Sequence, residues 1–348
     1  MLEMTETLLR ELEQEKSRIG TKLKIGEEFL YLTRAECIKA GPTVDETLAL
    51  VNQTLIAHGK GEYEMPAKIG VHPHQEVFYH AMPAYVPGLK ACGMKWIGCY
   101  PQNPVKYGLP QTSSLLTLNE IMTGYPMSVM DGAWITAMRT PAVTVIAAAA
   151  LHPDAETFGM FGCGVQGIEH ARFVVKTLKK LKKIYIYDTR PQAMDDLIAR
   201  VKGDVDVEII KAEPKVIAQN CEVMSSATVI LLEPLAVVKD EWISRGQTIL
   251  PCDLNTFWDP KTQKRADKYI VDSSEEHELF AGMGYFPDGM PKITCQTGEV
   301  IAGIAKGRES SDELIVCSNI GMSVFDVALA QFIFNKALDM GLGVRLPF

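Results

Sequence analysis

The chain has 348 residues, 47% hydrophobic and 22% charged, a balance that excludes disordered and fibrous classes and gives enough chain for two hydrophobic cores. A formal net charge of −8 and a pI near 5.5 make its field repel polyanions, so no nucleic-acid partner is expected. The apolar run 142–151 is about half the length a bilayer crossing needs, and the N-terminus is Glu-rich rather than basic then apolar, so neither a membrane span nor a signal peptide is expected.

Residues 4–19 carry Leu8, Leu12 and Ile19 at helical spacing among charges and predict an amphipathic helix. Thr43 and Glu46 form a capping box that opens a second helix, with Val44, Leu48, Val51 and Leu55 on one face and Gly59 past its end. From Glu64 to Tyr125 the pattern changes to short β-like runs (77–80, 95–98, 114–118) separated by Pro and Gly. His72 and His74 flank Pro73 and read as turn residues; with no third ligand nearby, no metal is expected. Eight scattered cysteines without a CxxC predict reduced thiols and a cytoplasmic setting.

A long Ala-rich helix is predicted from Trp134 to Leu151, stopped at His152-Pro153-Asp154. Strands then alternate with helices, at 157–161, 183–187, 222–225, 248–252, 268–271 and 314–317, which predicts a parallel sheet covered on both faces. A last helix, Val324 to Leu338, is expected to return to the first domain. The fold expected is α/β: a Rossmann-type doubly wound parallel sheet domain (139–319) plus an α+β substrate-binding and dimerisation domain (1–138 with 320–348).

Directly after the strand 157–161 comes Gly162-Cys163-Gly164-Val165-Gln166-Gly167, leading into a helix. Such glycines permit a tight turn and let the backbone approach a pyrophosphate seated on the helix N-terminus. The next strand ends in Asp188, 21 positions past Gly167, where an acid bonds the ribose hydroxyls and repels a 2′-phosphate. NAD is therefore expected over NADP; Arg190, two positions on, leaves NADP possible. The lysines at 179, 180, 182 and 183 read as a solvated helix end.

Met65-Pro66-Ala67-Lys68, Met82-Pro83-Ala84-Tyr85, Lys95-Trp96-Ile97, Ala137-Met138-Arg139-Thr140, the glycine motif, Asp188, Ser225-Ser226-Ala227-Thr228, Asp253 and Ser318-Asn319-x-Gly321 with Asp326 follow one another in an order that resembles the ornithine cyclodeaminase and mu-crystallin family. The resemblance spans essentially the whole chain. It implies a homodimer, a dinucleotide held by Thr140, Gly162, Gly164, Val165, Gln166, Asp188, Arg190, Ser226, Ala227, Thr228 and Asn319, and a general base at Asp253. It also implies that His80 stands where some members carry a Glu contacting the α-amino group.

The residues support that chemistry on their own terms. Fixing an α-carboxylate calls for converging cations, and Lys68, Lys95 and Arg139 are the candidates, Arg139 especially because a lone Arg in an Ala-rich helix is costly unless an anion meets it. Asp253 follows a strand end, where ligands of open α/β sheets bind, and can take a proton from a substrate ammonium before Cα loses hydride. After Asp253 this chain has Leu254-Asn255-Thr256-Phe257-Trp258 in place of the Pro-Gly-Lys loop of ornithine cyclodeaminases, which is expected to bring Phe257 and Trp258 to the pocket mouth. The leading expectation is conversion of L-ornithine to L-proline plus ammonia. Alternatives are an amino-acid dehydrogenase of alanine-dehydrogenase type, a ketimine or imine reductase, and a crystallin-like dinucleotide-binding protein without turnover.

Overall fold

Threonines open the first helices. In the computed structural model, which describes residues 4–74 and 77–348, Thr5 caps α1 (Glu6–Gly20) by accepting from Leu8 N. After the strand β1 (Glu28–Leu32), Thr33 with Glu36 and Thr43 with Glu46 form complete capping boxes for α2 (Arg34–Ala40) and α3 (Val44–Gly59), each satisfying two orphan backbone donors. The chain then runs through β2 (Ile69–His74), β3 (Val77–Val86), β4 (Ala91–Cys99), the single turn α4 (Asn103–Lys106), β5 (Thr112–Asn119), β6 (Pro126–Asp131) and α5 (Ala133–Leu151).

Beyond α5 strands and helices alternate: β7 (Thr157–Phe161), α6 (Val165–Thr177), β8 (Lys183–Tyr187), α7 (Pro191–Val201), β9 (Glu208–Lys211), α8 (Pro214–Asn220), β10 (Val223–Ser226), β11 (Thr248–Pro251), α9 (Pro260–Arg265), β12 (Lys268–Val271), α10 (Ser274–Gly282), β13 (Cys295–Gln296), α11 (Thr297–Ile301) and β14 (Ile315–Ser318). The chain ends in α12 (Ser323–Met340), stopped by left-handed Gly341, and β15 (Val344–Pro347). Two compact units result, Met1–Arg139 with Met322–Phe348, and Thr140–Gly321.

The first unit is built on a seven-stranded sheet ordered β15-β1-β6-β5-β4-β3-β2, against which α12 packs. One row across its inner face is Met82, Lys95, Leu116, Met130 and Leu32, all buried. A lysine thus stands in an otherwise apolar row. The row one residue along β3, and so on the opposite face, is Ile69, Ala81, Trp96 and Leu115, and its three large apolar side chains are exposed.

The second unit carries an eight-stranded, wholly parallel sheet ordered β13-β12-β14-β11-β10-β7-β8-β9. Strand order reverses between β7 and β10, the switch point of a Rossmann-type sheet. Its interior includes Phe161, Ile217, Met224, Ile249, Trp258, Val271 and Val316. Helix α5 is long and apolar enough to cross a membrane by length and composition, and 67% of that stretch is buried inside the protein.

Six strands, β1, β2, β6, β9, β13 and β15, are not expected from the sequence. β2 and β15 are exposed along their whole length and so show no alternation; β6 starts at a proline; β9 has only two central apolar residues between charged ends; β13 has two residues; and β1 lies on the first sheet between β15 and β6. Their pairing is set by neighbouring backbones, the tertiary override that β-propensity reflects.

Candidate active site

In the second unit the loops that matter all leave the carboxyl ends of strands flanking the switch point. Cross-strand bonds hold this crest level: Gly162 N donates to Tyr187 O, Ala227 N to Phe161 O, Cys252 N to Ser226 O and Asn319 N to Pro251 O, at 2.8–2.9 Å. Gly162 has φ +97, and a Cβ there would stand 2.7 Å from Ala227 O. At Gly167 it would stand 2.1 Å from Gly162 O. Gly164 differs: it is the N-cap of α6 without a side-chain cap, and a Cβ there would meet nothing within 4 Å. Two glycines therefore close the turn, and the third leaves open space in front of helix N–H groups, the arrangement that receives a pyrophosphate. Val165 and Gln166 form the first turn behind it, Val165 exposed.

Asp188 closes the loop from the side. Its Oδ2 accepts from Cys163 N at 2.9 Å and its Oδ1 from Arg190 N at 2.9 Å; the Arg190 side chain, 70% exposed, turns back on the same oxygen. Asn319 lies at the end of β14 with its side chain engaged by protein, its Oδ1 accepting from Thr297 Oγ1 at 2.9 Å. Thr140 opens the second unit within α5, its carbonyl accepting from Thr144 Oγ1. His170 in α6 is buried, and burial pushes it down to about 4, so a neutral ring backs the glycine helix.

Asp253, in the loop after β11, is fully buried. Ser226 Oγ donates to its Oδ1 at 2.6 Å; Thr228 donates to its Oδ2 from both N, at 3.2 Å, and Oγ1. The backbone N–H of Asp253 itself also donates to the carboxylate, so the group is held by four donors, close to the number of lone-pair positions a carboxylate offers. Burial raises the Asp253 carboxyl above the usual range, while the Ser226 and Thr228 hydrogen bonds oppose that shift. The next residue, Leu254, is held at φ +58, a conformation disfavoured for a bulky side chain and concentrated at functional sites. Ala227, between Ser226 and Thr228, is half-buried on the same crest.

The first unit gathers the predicted cations. Lys95, on β4, is fully buried, and its Nζ lies 2.5 Å from Asp326 Oδ2 of α12; Arg139 Nε lies 3.2 Å from Asp326 Oδ1. One carboxylate thus serves two cations. The terminal guanidinium nitrogens of Arg139 have no acceptor among the described residues. Burial pushes the Lys95 ammonium down to about 8, against the pull of Asp326. Lys68, just before β2 and buried, adds to that lowering and to the field on His80. Burial, then Lys68, push His80 down to about 3, so it is a neutral ring, stacked on Phe78 with centroids 4.0 Å apart.

Sequence reasoning missed the role of Asp326. The signal was available: a single carboxylate within Val324-Phe325-Asp326-Val327-Ala328 needs a cation as much as Arg139 needs an anion. The expectation that Phe257 and Trp258 stand at a pocket mouth is corrected. Both are buried in the core of the second unit, Phe257 against Phe161 and Tyr187, Trp258 edge-on to Phe161, because aromatic area of this size gains most by leaving water. His72 and His74 lie exposed on β2, and the lysines after α6 meet acidic side chains, Lys180 with Asp154, Lys182 with Glu156 and Lys183 with Glu208. All eight cysteines are free thiols.

A doubly wound sheet with this glycine turn and acidic strand end defines the Rossmann-type class. Within it, the chain belongs to the ornithine cyclodeaminase/mu-crystallin family, whose profile matches residues 31–341. The alanine dehydrogenase of Archaeoglobus fulgidus is 30% identical over 334 residues, covering 92% of this chain and 99% of that protein. Among solved structures, the Δ1-pyrroline-2-carboxylate reductase of Thermococcus litoralis, in complex with NADH and L-proline, superposes with a TM-score of 0.80 at 26% identity, covering 91% of this chain and all of that one. An archaeal alanine dehydrogenase dimer with bound NAD gives 0.80 at 28% identity, covering 92% and 99%.

Proposed function

We propose that the protein is an NAD(H)-dependent oxidoreductase that interconverts an α-amino acid and its α-imino acid. The observation that carries this reading is Asp253, a fully buried carboxylate at the carboxyl end of β11, aimed by the Ser226 and Thr228 donors beside the glycine turn. Such a group, its carboxyl raised by burial, takes a proton from a substrate ammonium so that the amine lone pair can assist loss of hydride from Cα. The nicotinamide, when bound, accepts that hydride. The open space at Gly164 and the uncapped start of α6 fit the pyrophosphate, and Asp188 fits ribose hydroxyls and disfavours a 2′-phosphate.

Lys95, Arg139 and Lys68 hold the substrate carboxylate. Asp326 neutralises one of the first two, and the terminal nitrogens of Arg139 supply the fork that a carboxylate matches. His80, neutral, offers a ring nitrogen to the amino group. Of the fates of the imine, net oxidation or reduction is favoured over cyclisation to proline, because the relatives at 26–30% identity are an alanine dehydrogenase and a pyrroline-carboxylate reductase and the loop after Asp253 departs from the cyclodeaminase form. The chain works as a homodimer, as the archaeal alanine dehydrogenase does, and its free thiols suit a cytoplasmic setting.

The test is a paired assay of NADH and ammonia on L-alanine, L-proline, L-ornithine, L-lysine and L-arginine with NAD supplied. Equal NADH and ammonia, or NADH alone from proline, is the expected result. Ammonia without net NADH from ornithine makes the enzyme a cyclodeaminase. NADH binding without turnover in either direction returns the crystallin-like reading.

A further inference from the structure

Trp258 is fully buried and has one polar atom, the indole N–H, which donates to Ser226 Oγ at 2.7 Å. Its backbone is pinned by a β-bridge to Val238, with Val238 N donating to Phe257 O and Asp259 N to Val238 O, and its ring is wedged edge-on against Phe161. Ser226 and Asp253 are also fully buried. An indole can only donate, and a serine hydroxyl has one proton. The Ser226 oxygen therefore accepts from Trp258, and its single proton goes to Asp253 Oδ1, 2.6 Å away. The direction of the chain is fixed: indole to hydroxyl to carboxylate.

We propose that Trp258 is a positioning residue for Asp253, acting through Ser226 to polarise and aim the hydroxyl that holds the carboxylate ionised and in place. The inference rests on Asp253 being the base of the reaction proposed above. A hydroxyl that accepts one hydrogen bond becomes a stronger donor of the next, and inside the protein that strengthening opposes the burial that raises the carboxyl. Oδ2 is served separately by Thr228, so the relay governs Oδ1. The titratable group adjoining Asp253 is the Cys252 thiol, which burial pushes up to about 12 and which is neutral throughout the working range. No other family motif noted in the sequence includes this tryptophan; it comes with the loop that departs from the cyclodeaminase form.

The test reads the Asp253 carboxyl directly, by 13C NMR titration of aspartate-labelled protein with D253N to assign the signal. W258F, and a variant carrying 3-benzothienylalanine at 258, which keeps the ring's size and replaces N–H by sulfur, are expected to raise the midpoint by about 0.3 to 1 pH unit. S226A is expected to raise it at least as far, and W258F in the S226A background to add nothing. An unmoved midpoint in the benzothienyl variant, or the same upward shift of W258F with and without Ser226, overturns the relay. The acid limb of kcat/KM separates the two claims. If the carboxyl midpoint moves and the limb does not, or D253N keeps its activity, the base assignment falls and the relay stands; if D253N is inactive and the midpoint is unmoved, the relay alone falls.

Discussion

The cost of Asp326 to the protein, and its use, lie in what it neutralises. Removing one partner of a buried ion pair costs about 3–5 kcal/mol because the other charge is left without compensation, and Asp326 serves two cations at once. D326N is therefore expected to be destabilised by that order at pH 7, and by less at pH 9.5, as denaturant titrations at the two pH values will report. The sign follows from Lys95: its ammonium, at about 8 in the fold against an ordinary 10.5, binds fewer protons folded than unfolded between those values, so raising the pH through that window relieves the buried charge. A second readout concerns binding. The inhibition constant of a 2-oxo acid, which carries a carboxylate and no amine, is expected to rise as pH passes about 8 and Lys95 loses its charge; a flat profile would remove Lys95 from the carboxylate site. These residues were partly legible in the sequence. Arg139 announced a missing anion by standing alone in an apolar helix, but pairing it with Asp326, 187 positions away, needs the fold. Trp258 was misjudged for a related reason: loop position suggested exposure, and only packing shows that its ring fills the core.

Helix α6 and the turn before it separate two jobs that one motif spells alike. Gly164 has ordinary φ and open space beyond it, so Gly164→Ala is expected to leave the melting temperature unchanged and to lower NADH affinity at least tenfold, about 1.4 kcal/mol, by putting a methyl where the pyrophosphate approaches. Gly167→Ala is expected to do the reverse first: its Cβ would stand 2.1 Å from Gly162 O, and overpacking of that kind costs about 1–3 kcal/mol. Fluorescence titration with NADH and thermal melts of the two variants check the split, and a Gly164→Ala protein with undiminished affinity would sink the pyrophosphate assignment. Six of the eight Rossmann-type strands were legible because each is a short apolar run, whereas β9, with charged ends, and the two-residue β13 were not. The other sheet was less so. The run at 77–80 continues to Val86 through Pro83, which the strand tolerates because that residue falls between the Ile69–Ala81 pair and the Glu64–Tyr85 bridge, where no donor is required.

The outer face of the first sheet is a surface that the fold of one copy does not explain. Ile69, Trp96 and Leu115 share a row of the first sheet with Ala81 and are 71%, 42% and 50% exposed, with Val71 at 57% beside them; Tyr79 lies flat on Trp96, centroids 5.6 Å apart. The opposite face of the same strands is buried core, so an apolar row on this side is not needed for folding. Contiguous exposed apolar area of this kind marks an interface, and a twofold dimer sets the same patch of each copy against the other. Leu115→Asp places a carboxylate on each copy within that patch, where burial of like charges is costly. The folded monomer keeps its inner row of Met82, Lys95, Leu116, Met130 and Leu32 untouched. The wild-type protein is therefore expected to run as a dimer in light scattering at micromolar concentration, and Leu115→Asp as a folded monomer that still binds NADH, since the glycine turn and Asp188 belong to the second unit. A monomeric wild type, or a Leu115→Asp dimer as tight as the original, would show that this face does not join two copies and would leave its exposed tryptophan to a different partner.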